Sequence, residues 1–392
     1  MSRRNIPLVC AILLVASMLA CNLPSTATPA ATEVEPPLET ETPPATAEPP
    51  TSTSEPPTAE PPPDPLVVVH QGDNFHIYTL DGALVETRSA TGMATWAHPN
   101  SYQVVGDGIY YVDSGGTDLG GNVKRVTAAG VDDLAFTTVP DLAILKFAVS
   151  DDQSMIAWAA GDWGNSELWT SDINGGGAQL IIQSDPGLGL EDFYVLETYR
   201  WTVDGDLLFS WQISGIGNLA YFGYSSMYHY SPATGEITAL YEAPASGGMP
   251  CWSIVSPDGL YLVGTCIGES EIPGVREREV STGIETVLPL LPNQDQSGSA
   301  AYSPSGSRLA YAYVRGGMDD IDGYIAVRLN PGGDPQSIAS VLDGSFRNIY
   351  WVDEDRLAVQ GSEADVTGVY LLTIDGVLMP IAEGELIGLM WP

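Results

Sequence analysis

Lysine is nearly missing from this chain. Lys124 and Lys146 are the only two, and Lys and Arg together number 14 against 50 Asp and Glu, for a formal net charge of −36. A surface so acidic repels phosphate backbones and anionic headgroups. This argues against nucleic acid as a partner and against membrane adhesion through a basic patch. Histidine is also scarce. His70, His76, His98 and His229 form no His-x-x-x-His pair, and no Cys-x-x-Cys occurs, so the common zinc patterns are missing. No Gly-x-Ser-x-Gly elbow marks a hydrolase nucleophile. Beyond the first 20 residues no apolar run approaches the roughly 18 that a membrane helix needs, which excludes a multi-spanning protein. No long stretch keeps a helical period either.

What is present begins with a targeting segment. Arg3 and Arg4 precede an apolar run from Pro7 to Ala20, too short for a comfortable membrane span, so residues 1–20 read as an export signal. The run closes Met18-Leu19-Ala20-Cys21, and these residues resemble the bacterial lipobox. The resemblance implies that Cys21 is acylated (palmitate), becomes the mature N-terminus, and anchors the chain to the outside of the cell membrane or to an outer membrane. Residues 21–65 then read as a disordered tether. Pro, Thr, Ala, Glu and Ser dominate it, and Lys, Arg and aromatic residues are absent, so it cannot bury enough apolar surface to offset chain entropy. Fully extended at about 3.1 Å per residue, it could reach on the order of 130 Å.

The remainder, 66–392, exceeds the usual size of a single core, so two domains or one repeat-built domain is expected. It consists of short alternating runs rich in Val, Ile, Leu, Tyr, Trp and Thr, separated by Gly, Pro, Asp and Asn, which predicts an all-β fold. Two marks recur. In the first, an apolar or aromatic residue closes a strand before a polar turn: Trp96-Ala97-His98-Pro99, Val149-Ser150-Asp151-Asp152, Trp201-Thr202-Val203-Asp204-Gly205, Val255-Ser256-Pro257-Asp258-Gly259, Tyr302-Ser303-Pro304-Ser305-Gly306 and Trp351-Val352-Asp353-Glu354-Asp355. An apolar strand follows each, Tyr102-Gln103-Val104-Val105 in the case of Trp96. The second mark is a turn ending in Gly, at Gly82, Gly130, Gly175, Gly235, Gly283, Gly332 and Gly376. Asp-Gly at several of these suits a two-residue hairpin, where positive φ is needed. Gly82 has no first mark upstream, and the tail Leu389-Met390-Trp391-Pro392 is a first mark with no strand after it. Joining the two completes a seventh unit. The expectation is a seven-bladed β-propeller of four-stranded blades, closed by a C-terminal strand so that no sheet edge is left open.

Ser256-Pro257-Asp258-Gly259-Leu260-Tyr261-Leu262 and Ser303-Pro304-Ser305-Gly306-Ser307-Arg308-Leu309-Ala310-Tyr311 resemble the Ser-Pro-Asp-Gly hairpins of TolB-type and WD-like propeller repeats. The Gly-His and Trp-Asp dipeptides of the WD repeat are missing, so the TolB-like group fits better. The resemblance implies a propeller and a protein- or glycan-binding role. It implies no particular reaction.

Counting outward from a two-residue Asp258-Gly259 turn places Cys251 opposite Cys266, so a disulfide is expected in an exported chain, contributing roughly 3 kcal/mol. Asp319, Asp320 and Asp322 cluster in one loop and could hold Ca²⁺ with backbone carbonyls, although the spacing is not that of an EF-hand. Trp163, Tyr221 and Tyr224 fall outside the strand alternation, in connections between second and third strands, and are candidate ligand-binding residues. No catalytic residue is assigned. The expected function is an extracytoplasmic binding or scaffold module that recognises a protein, peptide or glycan. The alternative is a hydrolase or lyase with a metal-assisted acidic site in the propeller channel.

Overall fold

In a computed structural model the residues described are 63–93, 101–114, 121–139, 144–162, 165–183, 194–213, 226–242, 252–265, 274–292, 294–315, 321–341, 344–363 and 366–391. The export signal, Cys21 and nearly all of the expected tether lie outside them.

Seven four-stranded antiparallel sheets form a ring. Blade 1 runs Glu385–Met390, Leu66–Gln71, Asn74–Tyr78, Leu84–Ser89 from its inner strand outward, and blade 2 runs Tyr102–Val105, Gly108–Asp113, Gly121–Thr127, Gly130–Val139. Blade 3 is Ile144–Val149, Met155–Asp162, Asn165–Asp172, Gln179–Gln183, and blade 4 is Tyr194–Trp201, Leu207–Ile213, Met227–Ser231, Glu236–Tyr241. Blade 5 is Trp252–Val255, Tyr261–Thr265, Val275–Glu279, Glu285–Val287. Blade 6 is Gln296–Tyr302, Leu309–Arg315, Asp322–Arg328, Gln336–Val341, and blade 7 is Gly344–Trp351, Arg356–Glu363, Val366–Thr373, Leu378–Glu383.

The packing shows why a second strand can read as an unbroken apolar run. In Leu309–Arg315, Leu309, Tyr311 and Tyr313 pack into the core shared with blade 5, while Ala310, Ala312 and Val314 pack into the core shared with blade 7. Period-two alternation here serves two interfaces, not core against solvent. A fully buried Leu or Val of this strand contributes about 1.5–3 kcal/mol.

The tail closes the ring as the sequence predicts. Met390 pairs with Leu66, Leu389 with Val67 and Gly388 with Val68, and Leu386, Ile387 and Met390 are buried. Blade 7 grips this strand from one side. Gln360 Oε1 accepts from the Leu386 amide at 3.0 Å, and the Tyr350 hydroxyl donates to the Ile387 carbonyl at 3.2 Å.

All seven Gly-ending turns fall between third and fourth strands, and each glycine has positive φ. The turn itself differs from the two-residue hairpin expected. The Gly82 amide bonds the Thr79 carbonyl at 3.0 Å and the Thr79 amide bonds the Ala83 carbonyl at 2.9 Å, and the same pattern recurs from Thr373 to Val377. An ordinary i to i+3 turn followed by a left-handed residue makes a longer loop, with the glycine in its last position. The threonine hydroxyl donates to Asp81 in one loop and to Asp375 in the other.

The first marks also lie on turns, between inner and second strands, with one correction. Tyr102–Val105 is an inner strand, so the turn of blade 2 is Gly106-Asp107, and Trp96 falls outside the described residues. In Ser256–Tyr261 the turn spans four residues, not two. The Ser256 amide bonds the Tyr261 carbonyl at 2.8 Å, the Ser256 hydroxyl donates to Asp258 at 2.5 Å, and that hydroxyl accepts the Tyr261 amide at 2.9 Å. Ser150–Met155 repeats this arrangement with Gln153, at φ 56°, in the place of glycine.

Candidate functional site

Antiparallel order gives the ring two unlike rims. Turns from first to second and from third to fourth strands share one rim and are short, the longest being 329–335. Connections from second to third strands, and from blade to blade, share the other. On that second rim the connections at blades 7 and 1 are minimal: 364–365, Gly384 alone, and 72–73. Over blades 4 and 5 five long connections follow one another, 184–193, 214–226, 242–251, 266–274 and 288–295, and one other long connection, 90–101, joins blades 1 and 2. The loop-bearing rim therefore carries most of its long connections on one sector.

The strand order sends the connections that carry Trp163, Tyr221 and Tyr224 to this rim, and these three residues lie outside the described ones. So do Asp319 and Asp320, whereas Asp322 opens the third strand of blade 6, half-buried and opposite Arg315 in the ladder. Among the described residues no group of three or more His, Cys, Asp or Glu is placed to hold a metal. Cys251 and Cys266 are also outside the described residues. The hairpin between them keeps Val255 opposite Leu262 as expected. A bulge then sets Trp252 opposite Gly264, where an unbroken ladder would set Thr265. Such bulges interrupt the inner strands of blades 1, 4, 5, 6 and 7, and the facing-cysteine geometry assumed an inner strand without one.

Below the long connections, the seam between blades 4 and 5 is built differently from its neighbours. Its buried apolar cluster holds only Leu208, Met227, Val255 and Leu262 among the described residues, with Tyr199, Leu240, Tyr241 and Val280 packed against it. Long side chains bridge the remainder. Arg200 reaches from blade 4 to donate through Nη2 to the Val255 and Ser256 carbonyls of blade 5, at 2.9 and 2.8 Å. Tyr199 accepts the Val255 amide at 3.3 Å. On blade 5 the run Val275-Arg276-Glu277-Arg278-Glu279 alternates in sign, and a strand sends alternate residues to opposite faces. Glu277 therefore turns to blade 6, and Arg276 and Arg278 turn to blade 4. Arg278 lies over the Tyr241 ring, 5.4 Å from its centroid. Both guanidiniums approach one carboxylate, Glu285, at 3.0 Å from Arg278 and 3.5 Å from Arg276. Sequence reading overlooked this group, although paired arginines in a chain so poor in cations were visible in the alternation.

The opposite face of the same strand carries a largely sequestered pair. Arg328 is 1% exposed and grips Glu277 with two bonds, of 2.6 and 2.9 Å, while Tyr302 donates to Glu277 at 2.5 Å. Burial and the adjoining carboxylate push the Tyr302 hydroxyl far above its ordinary range. The inner strands of blades 3 and 4 bury a second pair, Lys146 and Glu197. Burial lowers the lysine and raises the glutamate, and their mutual attraction opposes both shifts.

On the tight-turn rim the chain joins the ring beside a concavity of about 400 Å³ between blades 7 and 1, lined by Pro65, Leu66, Leu80, Leu371 and Met379 among others. Arg356 bonds both Asp64, at 2.6 Å, and Asp353, at 2.7 Å, and so fixes the chain just before the second strand of blade 1.

These features define the class: a seven-bladed, tail-closed β-propeller. The chain matches no protein-family model and no curated protein. It is similar to TolB from Acinetobacter baumannii at 14% identity, covering 69% of this chain and 62% of that one, with a TM-score of 0.44. The β-propeller domain of the Trilobed protease from Pyrococcus furiosus aligns at 14% identity over 73% of this chain and 84% of that one, with a TM-score of 0.47. Oligogalacturonate lyase from Vibrio parahaemolyticus aligns at 12% identity over 78% and 90%, with a TM-score of 0.47. The chain thus spans less than two thirds of the Acinetobacter protein, and what these structures share with it is the fold.

Proposed function

We propose that the chain is a membrane-tethered extracytoplasmic binding module that takes a protein, peptide or glycan at the loop-bearing rim over blades 4 and 5. The observation that carries this reading is the contrast between the rims. One is trimmed to short turns. The other carries five long connections in succession over one sector, and surface loops on a rigid scaffold are where recognition residues concentrate. The tether meets the fold on the trimmed rim, so the loops are on the side away from the point of attachment. The lipobox-like Cys21 supplies the anchor in this reading, and Trp163, Tyr221 and Tyr224 supply aromatic contact surface.

The test is site-specific photo-crosslinking in cells, with the crosslinker at Tyr224 on one rim or Thr234 on the other. A discrete adduct from position 224 and none from 234 is expected. Adducts from 234 alone, or from both positions equally, would overturn the assignment of the rim. Cys21→Ser is expected to release the protein from the membrane fraction.

A further inference from the structure

We propose that the seam between blades 4 and 5 binds an oxyanion, the carboxylate, sulfate or phosphate group of a ligand, through the guanidiniums of Arg276 and Arg278. This gives a ligand chemistry to the recognition sector proposed above, and it rests on that reading for the site's use but not for its existence.

Three observations meet here. The first is stoichiometry. Elsewhere in the described ring, arginines in ion pairs meet at least as many carboxylates as there are guanidiniums: Arg328 has Glu277, Arg88 has Glu86, Arg125 has Asp132, and Arg356 has two aspartates. Here two guanidiniums share one glutamate, and the Arg276 contact, at 3.5 Å, is at the limit of a hydrogen bond. In a chain of net charge −36, this seam is a local excess of positive charge. The second is unmet donors. A guanidinium carries five N–H donors. The buried Nε atoms of Arg276, Arg278 and Arg200, all on this seam, have no hydrogen-bond partner, and among the described residues Arg328 is the one other arginine in that condition. Buried donors are ordinarily satisfied, and exceptions call for a missing partner. The third is access. Arg276, Arg278 and Glu285 are each about a quarter to a third exposed. Two neighbouring guanidinium forks form the geometry that planar or tetrahedral oxyanions accept. Arg276 is the second residue of its strand, directly behind the 266–274 connection of the loop-bearing rim.

The test uses the mature full-length chain and inorganic phosphate, followed by titration calorimetry and thermal unfolding against sodium chloride at matched ionic strength. Saturable phosphate binding is expected in the unmodified protein. Arg276→Gln with Arg278→Gln should weaken it by about tenfold or more. Glu285→Gln keeps both guanidiniums and removes the competing carboxylate, so it should tighten binding several-fold. Acetate in place of phosphate identifies whether the site prefers a carboxylate. Absence of saturable binding, or equal affinity in the double variant, overturns the site. If the double variant does not fold, Glu285→Gln decides, and unchanged affinity there overturns it. A partner that crosslinks through position 224 equally well in wild type and double variant would leave the recognition rim standing and overturn the anion site's part in recognition.

Discussion

Asn348 of blade 7 and Tyr102 of blade 2 are joined across the inner strand of blade 1. The Asn348 amide nitrogen lies 2.9 Å from the Tyr102 hydroxyl, 3.1 Å from the Leu386 carbonyl and 3.1 Å from Gln360 Oε1. Asn348 holds this position at φ 46°, a conformation that asparagine tolerates better than most residues. Asn348→Ala should cost about 2–4 kcal/mol, because it removes the bonds, leaves Tyr102 without its donor and keeps the backbone strain. Asn348→Gly relieves the strain and should cost less. Urea unfolding of both variants gives the comparison.

Deleting residues 385–392 removes the inner strand of blade 1. Leu386, Ile387 and Met390 each lose burial worth about 1.5–3 kcal/mol, and Leu66–Gln71 becomes an open edge. A strongly lowered Tm and loss of a single cooperative transition are expected in a thermal scan. An unchanged Tm would show that the ladder does not close the ring.

The repeat was legible because its marks are chemical necessities of the fold. Seven glycines adopt positive φ where a loop needs a left-handed residue, and the near-identical Thr79-Leu80-Asp81-Gly82 and Thr373-Ile374-Asp375-Gly376 bond alike. Trp96 misled because a bulky residue before a polar turn is only a statistical sign, and the turn it stood for, Gly106-Asp107, carries no Ser or Thr staple. The bulge between Trp252 and Ile254 was unreadable because no residue pattern announces an inner-strand bulge. The arginine seam was half-legible. Alternation put Arg276 and Arg278 on one face, but which blade that face meets depends on the ring.

The Arg328–Glu277 pair should be costly to break and cheap to replace. Removing one partner leaves a buried charge, so Glu277→Gln or Arg328→Met alone should lose about 3–5 kcal/mol. A combined Arg328→Met and Glu277→Leu should recover most of that loss in chemical denaturation.

Two glycines with similar φ should respond differently to alanine. A Cβ at Gly376 would lie 2.7 Å from the Ile338 carbonyl oxygen of the neighbouring blade, whereas one at Gly205 meets nothing within 4 Å. Gly205→Ala should cost about 1–2 kcal/mol for its left-handed backbone alone, and Gly376→Ala distinctly more, as read from paired urea midpoints.

Asp152 links the turn of blade 3 to acid stability. The Ser150 hydroxyl first, then the Ser154 amide and hydroxyl, hold its carboxyl down to about 2. The unfolded value is about 3.9. A depressed folded value means that the contribution is complete above the unfolded pKa and disappears as pH falls through the folded one. The stability gap between wild type and Asp152→Asn should therefore be constant above about pH 5 and narrow towards pH 2, as measured by denaturant titration at several pH values.

Asp64 leads into the second strand of blade 1 at the rim opposite the loops, and this sets how the fold bears mechanical load. A pull through the segment before Asp64, resisted by anything held at the loop sector, acts along the strand axes. The ladder bonds between Leu66–Gln71 and its two neighbours lie across that direction. They are loaded in shear, all at once, so the sheet resists as a block where a peeling geometry would open it bond by bond.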